Sequence, residues 1–397
     1  MVLACFFLSL SAGPVRAAAV PDPAAKAAML VDAASGQVLW SRNPDQHMYP
    51  ASITKILTAL VAIEKGDLND VVTVPKEAQG VEGSSLGLRA GETFTLKNLL
   101  YALLLDSAND SAVAIADHVG GSVPAFVQMM NDEARRLGAV DSHFANPHGL
   151  YDPDHYVTAR DMAIITRAAM ANPVFREIVA TRYYTLPPRS DPKAQVDLVN
   201  HNRLLWTYPG AVGVKTGYIV ASGETLVAAA DRDGRELIAV VLDSVPGQTF
   251  SDAAGLLDYG FDRFARREIV GTNQVVVRLP VRFGVSGVDL VPRASFSYDF
   301  PVSASPDVER RVVTDQTVTA PVRQGQILGE LVLDWQGTEI GRVPLVAART
   351  VPRQLYTDWF FWVIVALVAA SAVWLSTLAY VSRRRRIFGV RYRLRRR

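Results

Sequence analysis

The chain has almost no cysteine. Only Cys5, near the start of the 397 residues, carries a thiol. This excludes a disulfide framework, and thiolate chemistry too if the first residues are removed. There is no internal repeat, and no low-complexity stretch apart from an arginine-rich end. An even spread of basic charge is also missing. The formal net charge is +2, yet nine arginines lie between Arg383 and Arg397. The remaining residues hold 32 basic side chains against all 39 acidic ones, about −7. A nucleic-acid binder would distribute its cations over a folded face, so that class is set aside. Apolar residues are plentiful: 49% are hydrophobic, enough for a sizeable core in two or three domains.

Residues Trp359 to Val381 contain no charge at all and are long enough to cross a bilayer at roughly 20 residues per helical span. Trp359 and Trp362 stand at one end and Tyr380 at the other, where aromatic belts belong. Four consecutive arginines follow. The pattern predicts a transmembrane helix over 358–382 and a basic cytoplasmic tail over 383–397. Everything before Asp358 is then outside, in a single-pass protein of the cell membrane. At the other end, Leu3 to Leu10 is apolar and Val15-Arg16-Ala17 offers a small-residue cleavage site. This predicts a signal peptide over 1–17, although no basic segment precedes the apolar one. Its removal would take Cys5 with it.

Met29 to Asp32 and Gln37 to Ser41 read as strands around the Ser35-Gly36 turn. From Ser52 to about Val179 the pattern is helical, with Ser122 and Thr158 as N-caps and Gly138 as a stop. Strands return at Ala211 to Thr216, Leu226 to Ala230 and Glu236 to Leu242. The arrangement is α+β: one sheet built from the two ends and covered by a helical middle, over 18–264. Over 265–353, short β-rich runs split by Gly, Pro and Asp predict a small all-β domain.

Three short motifs occur in order: Ser52-Ile53-Thr54-Lys55, Ser107-Ala108-Asn109 and Lys215-Thr216-Gly217. Singly they mean little. Ser190 to Lys193 repeats the first spacing between prolines, and Ser41 to Asn43 repeats the second. Together they supply a nucleophile, a base, a proton shuttle and an anion clamp, the signature set of penicillin-interacting serine enzymes. A serine hydroxyl needs a base to take its proton, and Lys55 lies one helical turn from Ser52. Lys55 must be neutral for this task, and burial with Lys215 nearby would lower its pKa. Ser107 and Asn109 follow a helix end, where a hydroxyl can relay a proton and an amide can hold a substrate amide. Asp106 or Ser107 can cap the next helix, from Asp110. Lys215 and Thr216 can bind a carboxylate, and Gly217 lets a substrate backbone pass close. No cofactor or metal is called for. His143, His148 and His155 with Asp152 and Asp154 lack the spacing that puts two ligands on one helix face.

On these motifs, with Asn146-Pro147-His148-Gly149-Leu150, the chain resembles the low-molecular-mass penicillin-binding proteins that act as serine-type D-alanyl-D-alanine carboxypeptidases. The resemblance runs from about Ala27 to Phe264 and, more weakly, through Ala320 to Pro352. It implies a DD-peptidase-like catalytic fold and a second, β-rich domain. It implies that Ser52 attacks the bond between two terminal D-alanines of a peptidoglycan stem peptide, and that β-lactam antibiotics acylate Ser52 as substrate mimics. It also implies that the backbone N–H groups of Ser52 and Tyr218 form the oxyanion hole. Two departures stand out. Many relatives carry an arginine just before the position of Phe250, where this chain has Gln248 and Thr249. Relatives with the second domain often end in an amphipathic surface helix rather than a full span. A β-lactamase would need an activating glutamate with asparagine four residues on, but Leu137 and Thr181 follow Glu133 and Glu177. A DD-endopeptidase would use the same site but usually lacks the β-rich domain.

Overall fold

The computed structural model describes residues 20–187, 196–314 and 317–394, with side chains as far as Arg385. The predicted signal peptide, Cys5, the Ser190 to Lys193 motif and the end of the arginine tail lie outside the described residues. Two compact units are present. The first takes the described residues up to Arg267 and returns for Tyr298–Ser305; the second is Glu268–Ser297 with Pro306 onward.

The first unit is organised by a five-stranded antiparallel sheet. Its strands are β1 (Ala27–Asp32), β2 (Val38–Arg42), β3 (Ala211–Ile219), β4 (Gly223–Arg232) and β5 (Arg235–Ser244), in the order β2-β1-β5-β4-β3. The sheet therefore joins the two ends of the unit, as the sequence pattern predicts. Side chains alternate across it with the period of two. Met29, Val227, Ile238 and Val240 enter a core shared with the helices. Leu30, Leu226, Ala239 and Val241 enter a second core on the opposite face.

The helical face holds α1 (Lys55–Lys65), α2 (Leu96–Leu105), α3 (Asn109–Gly120), α4 (Val123–Leu137), α5 (Ala159–Ala171) and α6 (Pro173–Ala180). Ser122 and Thr158 cap α4 and α5 through Ala125 N and Asp161 N, and Gly138 ends α4 at φ 92°. Helix α1 is the central one. Its residues Lys55 to Ala62 are all buried, so its polar groups must find partners inside the protein. After the one-turn α7 (Leu204–Thr207), α8 (Thr249–Arg263) covers the other face of the sheet with Leu256 and Leu257. The elements expected from the sequence do not include α8, whose buried positions Thr249, Asp252, Ala253, Leu256, Leu257 and Gly260 keep helical spacing but include two polar residues and a glycine.

The second unit centres on a five-stranded antiparallel sheet: β6 (Val277–Leu279), β7 (Val288–Pro292), β8 (Val308–Thr314), β9 (Ile327–Trp335) and β10 (Thr338–Ala347), in the order β6-β7-β10-β9-β8. Val288, Leu290, Leu331, Leu333 and Leu345 form its core. A 36-residue helix, α9 (Trp359–Leu394), follows. Among the described residues, its segment Trp359–Arg385 is the one long and apolar enough to cross a membrane, with mean hydropathy 2.1.

Candidate active site

The nucleophile candidate does not open an α-helix. Ala51–Thr54 form a 3-10 turn, and α1 starts only at Lys55. In a 3-10 turn residues i and i+3 eclipse, which aligns Ser52 with Lys55 more directly than an α-turn would. Lys55 Nζ lies 2.9 Å from Ser52 Oγ. Ala51, just before it, holds a left-handed φ of 51°, strained for a residue with a side chain. The Pro147–Gly149 loop packs so closely here that a Cβ on Gly149 would meet Ala51 O at 1.9 Å. Thr225 Oγ1, on β4, donates to Pro50 O at 3.0 Å and ties the turn to the sheet.

Lys55 is fully buried and donates to two further oxygens, Asn109 Oδ1 at 2.7 Å and the His148 carbonyl at 2.7 Å. Burial first, then the charge of Lys215, push its pKa well below that of a free lysine. A neutral amine has two N–H donors and one lone pair. Both carbonyl oxygens can only accept, so they take the two N–H groups, and the lone pair is left for the Ser52 hydroxyl. The site therefore holds a serine whose proton already points at a base.

Asn109 is committed on both sides, since its Nδ2 donates to Glu82 O at 2.6 Å. Its place is fixed by Asp110, whose carboxylate accepts from Ser85 Oγ and from the Leu86 and Leu88 N–H groups. Neither Asp106 nor Ser107 caps α3. Ala108 occupies the cap position without a side-chain bond, because Ser107 is turned into the left-handed region at φ 63°. That turn faces Ser107 into the same cavity as Ser52.

Lys215, Thr216, Gly217 and Tyr218 lie on β3, opposite Val227, Leu226, Thr225 and Glu224 of β4. Strand β3 is an edge of the sheet, so its outer rim is open for an extended peptide to pair with. A Cβ on Gly217 would stand 2.8 Å from Ser52 N, so only glycine leaves the nucleophile's N–H accessible. Lys215 is buried, its Nζ donating to Thr216 O at 3.1 Å, and burial lowers its pKa to about 7.

The cavity holds about 380 Å³ and is lined by Ser52, Ser107, Thr216, Gly217 and Tyr218 together with residues the motifs do not reveal. Among these are His201, Arg203, Glu224 and Phe250. Arg203 lies 5.7 Å from the Phe250 ring and makes no ion pair among the described residues. The Thr249 hydroxyl donates to the Glu224 carboxylate. His148 and His155 are driven by burial to pKa values of about 3 and 4, so both stay neutral. His155 Nε2 lies 3.0 Å from Thr54 Oγ1, bracing the turn behind the nucleophile.

The family model for D-alanyl-D-alanine carboxypeptidases matches residues 15–245, and that for the C-terminal domain of penicillin-binding protein 5 matches residues 264–353. The D-alanyl-D-alanine carboxypeptidase DacF of Bacillus subtilis is 33% identical over 331 residues, 81% of this chain and 85% of its own. The D-alanyl-D-alanine carboxypeptidase DacB2 of Mycobacterium tuberculosis is 40% identical over 254 residues, 62% of this chain and 86% of its own. Among solved structures, penicillin-binding protein 5 from Haemophilus influenzae superposes with a TM-score of 0.74 at 29% identity, covering 84% of this chain and 99% of its own.

Proposed function

Since the chain belongs to the D-alanyl-D-alanine carboxypeptidase family, we propose that it removes the terminal D-alanine from peptidoglycan stem peptides through an acyl-enzyme on Ser52. The observation that carries this reading is the three-way contact of buried Lys55 with Ser52, Asn109 and the His148 carbonyl. Lys55 takes the Ser52 proton as Oγ attacks the carbonyl of the penultimate D-alanine. The oxyanion is met by the N–H groups of Ser52 and Tyr218, each such donor commonly worth about 3 kcal/mol. Ser107 passes the proton on to the leaving amine, and water then releases the shortened peptide. Asn109 holds Lys55 in place. A β-lactam enters by the same first step and remains on Ser52.

The leaving residue carries a carboxylate. Lys215 and Thr216 receive it on one side, and Arg203 is the exposed cation on the cavity wall beside Phe250. Helix α9 tethers the enzyme, with the catalytic unit on the outer face of the membrane, where its polymeric substrate lies. The test is to incubate the protein with a pentapeptide-ending muropeptide and with its cross-linked dimer, and to identify products by mass. Loss of a single alanine from the monomer is the expected result. Cleavage of the dimer alone would make it an endopeptidase, and hydrolysis of penicillin alone a β-lactamase.

A further inference from the structure

The second unit carries a surface feature that the catalytic reading does not use. Phe283 is exposed, and two guanidinium groups lie over its ring, Arg282 at 4.7 Å and Arg353 at 5.5 Å. Its φ of 59° is unusual for a bulky residue. The strained loop is held by backbone bonds to the segment leading into α9: Gln354 N donates to Phe283 O at 2.8 Å and Val285 N to Pro352 O at 3.2 Å. Val285 and Tyr356 nearby are 56% and 57% exposed. Arg349 bonds only to Ser286 and Gly287, and neither it nor Arg282 makes an ion pair among the described residues.

Chain length fixes how far this cluster can stand from the bilayer. Gln354 is bonded to Phe283, and Leu355–Thr357 form a 3-10 turn before Trp359 opens the apolar run. Three residues at ~2 Å rise and two extended links of ~3.5 Å reach about 13 Å at most. The headgroup layer on each side of the hydrocarbon is ~5–7 Å deep, with water beyond. Exposed apolar side chains at that height, beside Arg282 and Arg349 without an ion pair and Arg353 paired with Asp358 at 3.1 Å, suit a polar and anionic surface on which stems and rings lie flat.

We propose that the Arg282–Ser286 loop, with Arg349, Arg353 and Tyr356, is a foot that rests on anionic lipid headgroups. The foot gives the β-rich unit a second hold on the membrane beside α9, so the unit stands at a fixed height instead of swinging on one helix. The proposal rests on α9 crossing the bilayer.

The test uses the full chain with Cys5→Ser and a single new cysteine. Val285→Cys places an environment-sensitive dye on the foot. Thr338→Cys places it at the far end of β10, roughly 30 Å along the strand. Both are reconstituted in phosphatidylcholine vesicles with and without phosphatidylglycerol, with a headgroup nitroxide as quencher. The dye at 285 should emit to the blue of the dye at 338. It should also be quenched at least about threefold more in anionic vesicles, and Arg282→Glu with Arg349→Glu should abolish the difference. Equal, water-like emission at both positions would overturn the foot, as would quenching that ignores the two arginines. Extraction of the whole chain by alkaline carbonate would overturn the span, and the foot with it.

Discussion

Replacing Arg203 by glutamine should weaken recognition of a free C-terminal carboxylate and little else. Burial lowers the pKa of Lys215 to about 7, so its positive charge is weakened at neutral pH. The position where the resemblance expects an arginine is occupied by Thr249, whose hydroxyl is bonded to the acid Glu224. Positive charge for the leaving carboxylate of the proposed substrate is therefore scarce, and Arg203 on the cavity wall is placed to add to it. A charge-assisted contact contributes ~1.5–3 kcal/mol when dry. Arg203 is exposed and its field is screened, so about 0.2–1 kcal/mol applies, a rise in KM of up to about fivefold. The assay compares kcat and KM for a D-Ala-D-Ala tripeptide and for its C-terminal amide. KM should rise for the acid and hardly change for the amide, with kcat nearly constant in both. Equal losses on both substrates would show that Arg203 shapes the cleft and does not read charge. The companion variant is Thr249→Arg. Thr249 is buried, and the nearest anion to a guanidinium there is Glu224. Arginine at 249 should thus pair with Glu224 and lower KM only when Glu224→Gln is added. A tenfold gain from Thr249→Arg alone would refute the role given to Glu224.

Ser52→Ala should abolish covalent labelling by fluorescent penicillin while thermal unfolding stays within a few degrees of the parent; full labelling of the variant would remove Ser52 from the mechanism. Lys55→Met should lose acylation as well, because among the described residues Lys55 is the base hydrogen-bonded to Ser52 Oγ. Lys215→Met should make the protein more stable at pH 7. The folded-state pKa of about 7 lies below the unfolded value of ~10.4, so the lysine's contribution is fully present only above pH ~10.4 and is lost as pH falls towards 7. Melting curves at pH 7 and pH 10 should show the gain at 7 shrinking at 10. The same variant removes a charge that depresses the pKa of Lys55, so the acid limb of acylation should move to higher pH. Gly217→Ala should cost about 10²–10³ in acylation rate, because the new Cβ crowds Ser52 N, and should lower the melting temperature too, because it meets the Thr225 hydroxyl that ties the turn to the sheet at 2.5 Å. Truncation after Arg353 removes α9 and should leave a protein that high salt releases from membranes; retention after such a wash would place an anchor elsewhere.

The elements that the sequence reveals are those whose local signals agree with their burial. Ser122 and Gly138 bracket α4 because a cap hydroxyl and a left-handed glycine act within one turn of chain. The continuous apolar runs in β1, β4 and β5 mark strands, but they do not say which residues face which core, since Leu226 and Val227 are equally apolar. Helix α8 escapes for that reason: it covers the far face of β4 and β5, the strands just before it, and nothing in their sequence says that this face needs a cover. The start of α1 is misplaced because S-x-x-K has the same spacing in a 3-10 turn as in an α-helix. Only the three-dimensional demand of the His148 carbonyl and Asn109 on Lys55 distinguishes the two.

The cleft residues divide in the same way. Ser52, Lys55, Ser107, Asn109 and Lys215 to Gly217 stand out as candidates through short motifs and Tyr218 only through the resemblance, and the fold brings Ser52, Ser107, Thr216, Gly217 and Tyr218 to one cavity. His148 contributes a carbonyl oxygen, which any residue could supply, so its identity gives no signal. Arg203 sits among ordinary surface arginines in the sequence. What sets it apart is a position, at the entry to α7 beside Phe250, that exists only after β3 and α8 have packed around the cavity. A side chain that acts at the base is fixed by its neighbours in sequence, whereas one that reads the substrate's charge can come from any segment reaching the wall. The absent arginine near Phe250 is therefore a weaker sign of lost carboxylate recognition than the motif suggests, because the wall can be recharged from another element without altering the strand that holds the scissile bond.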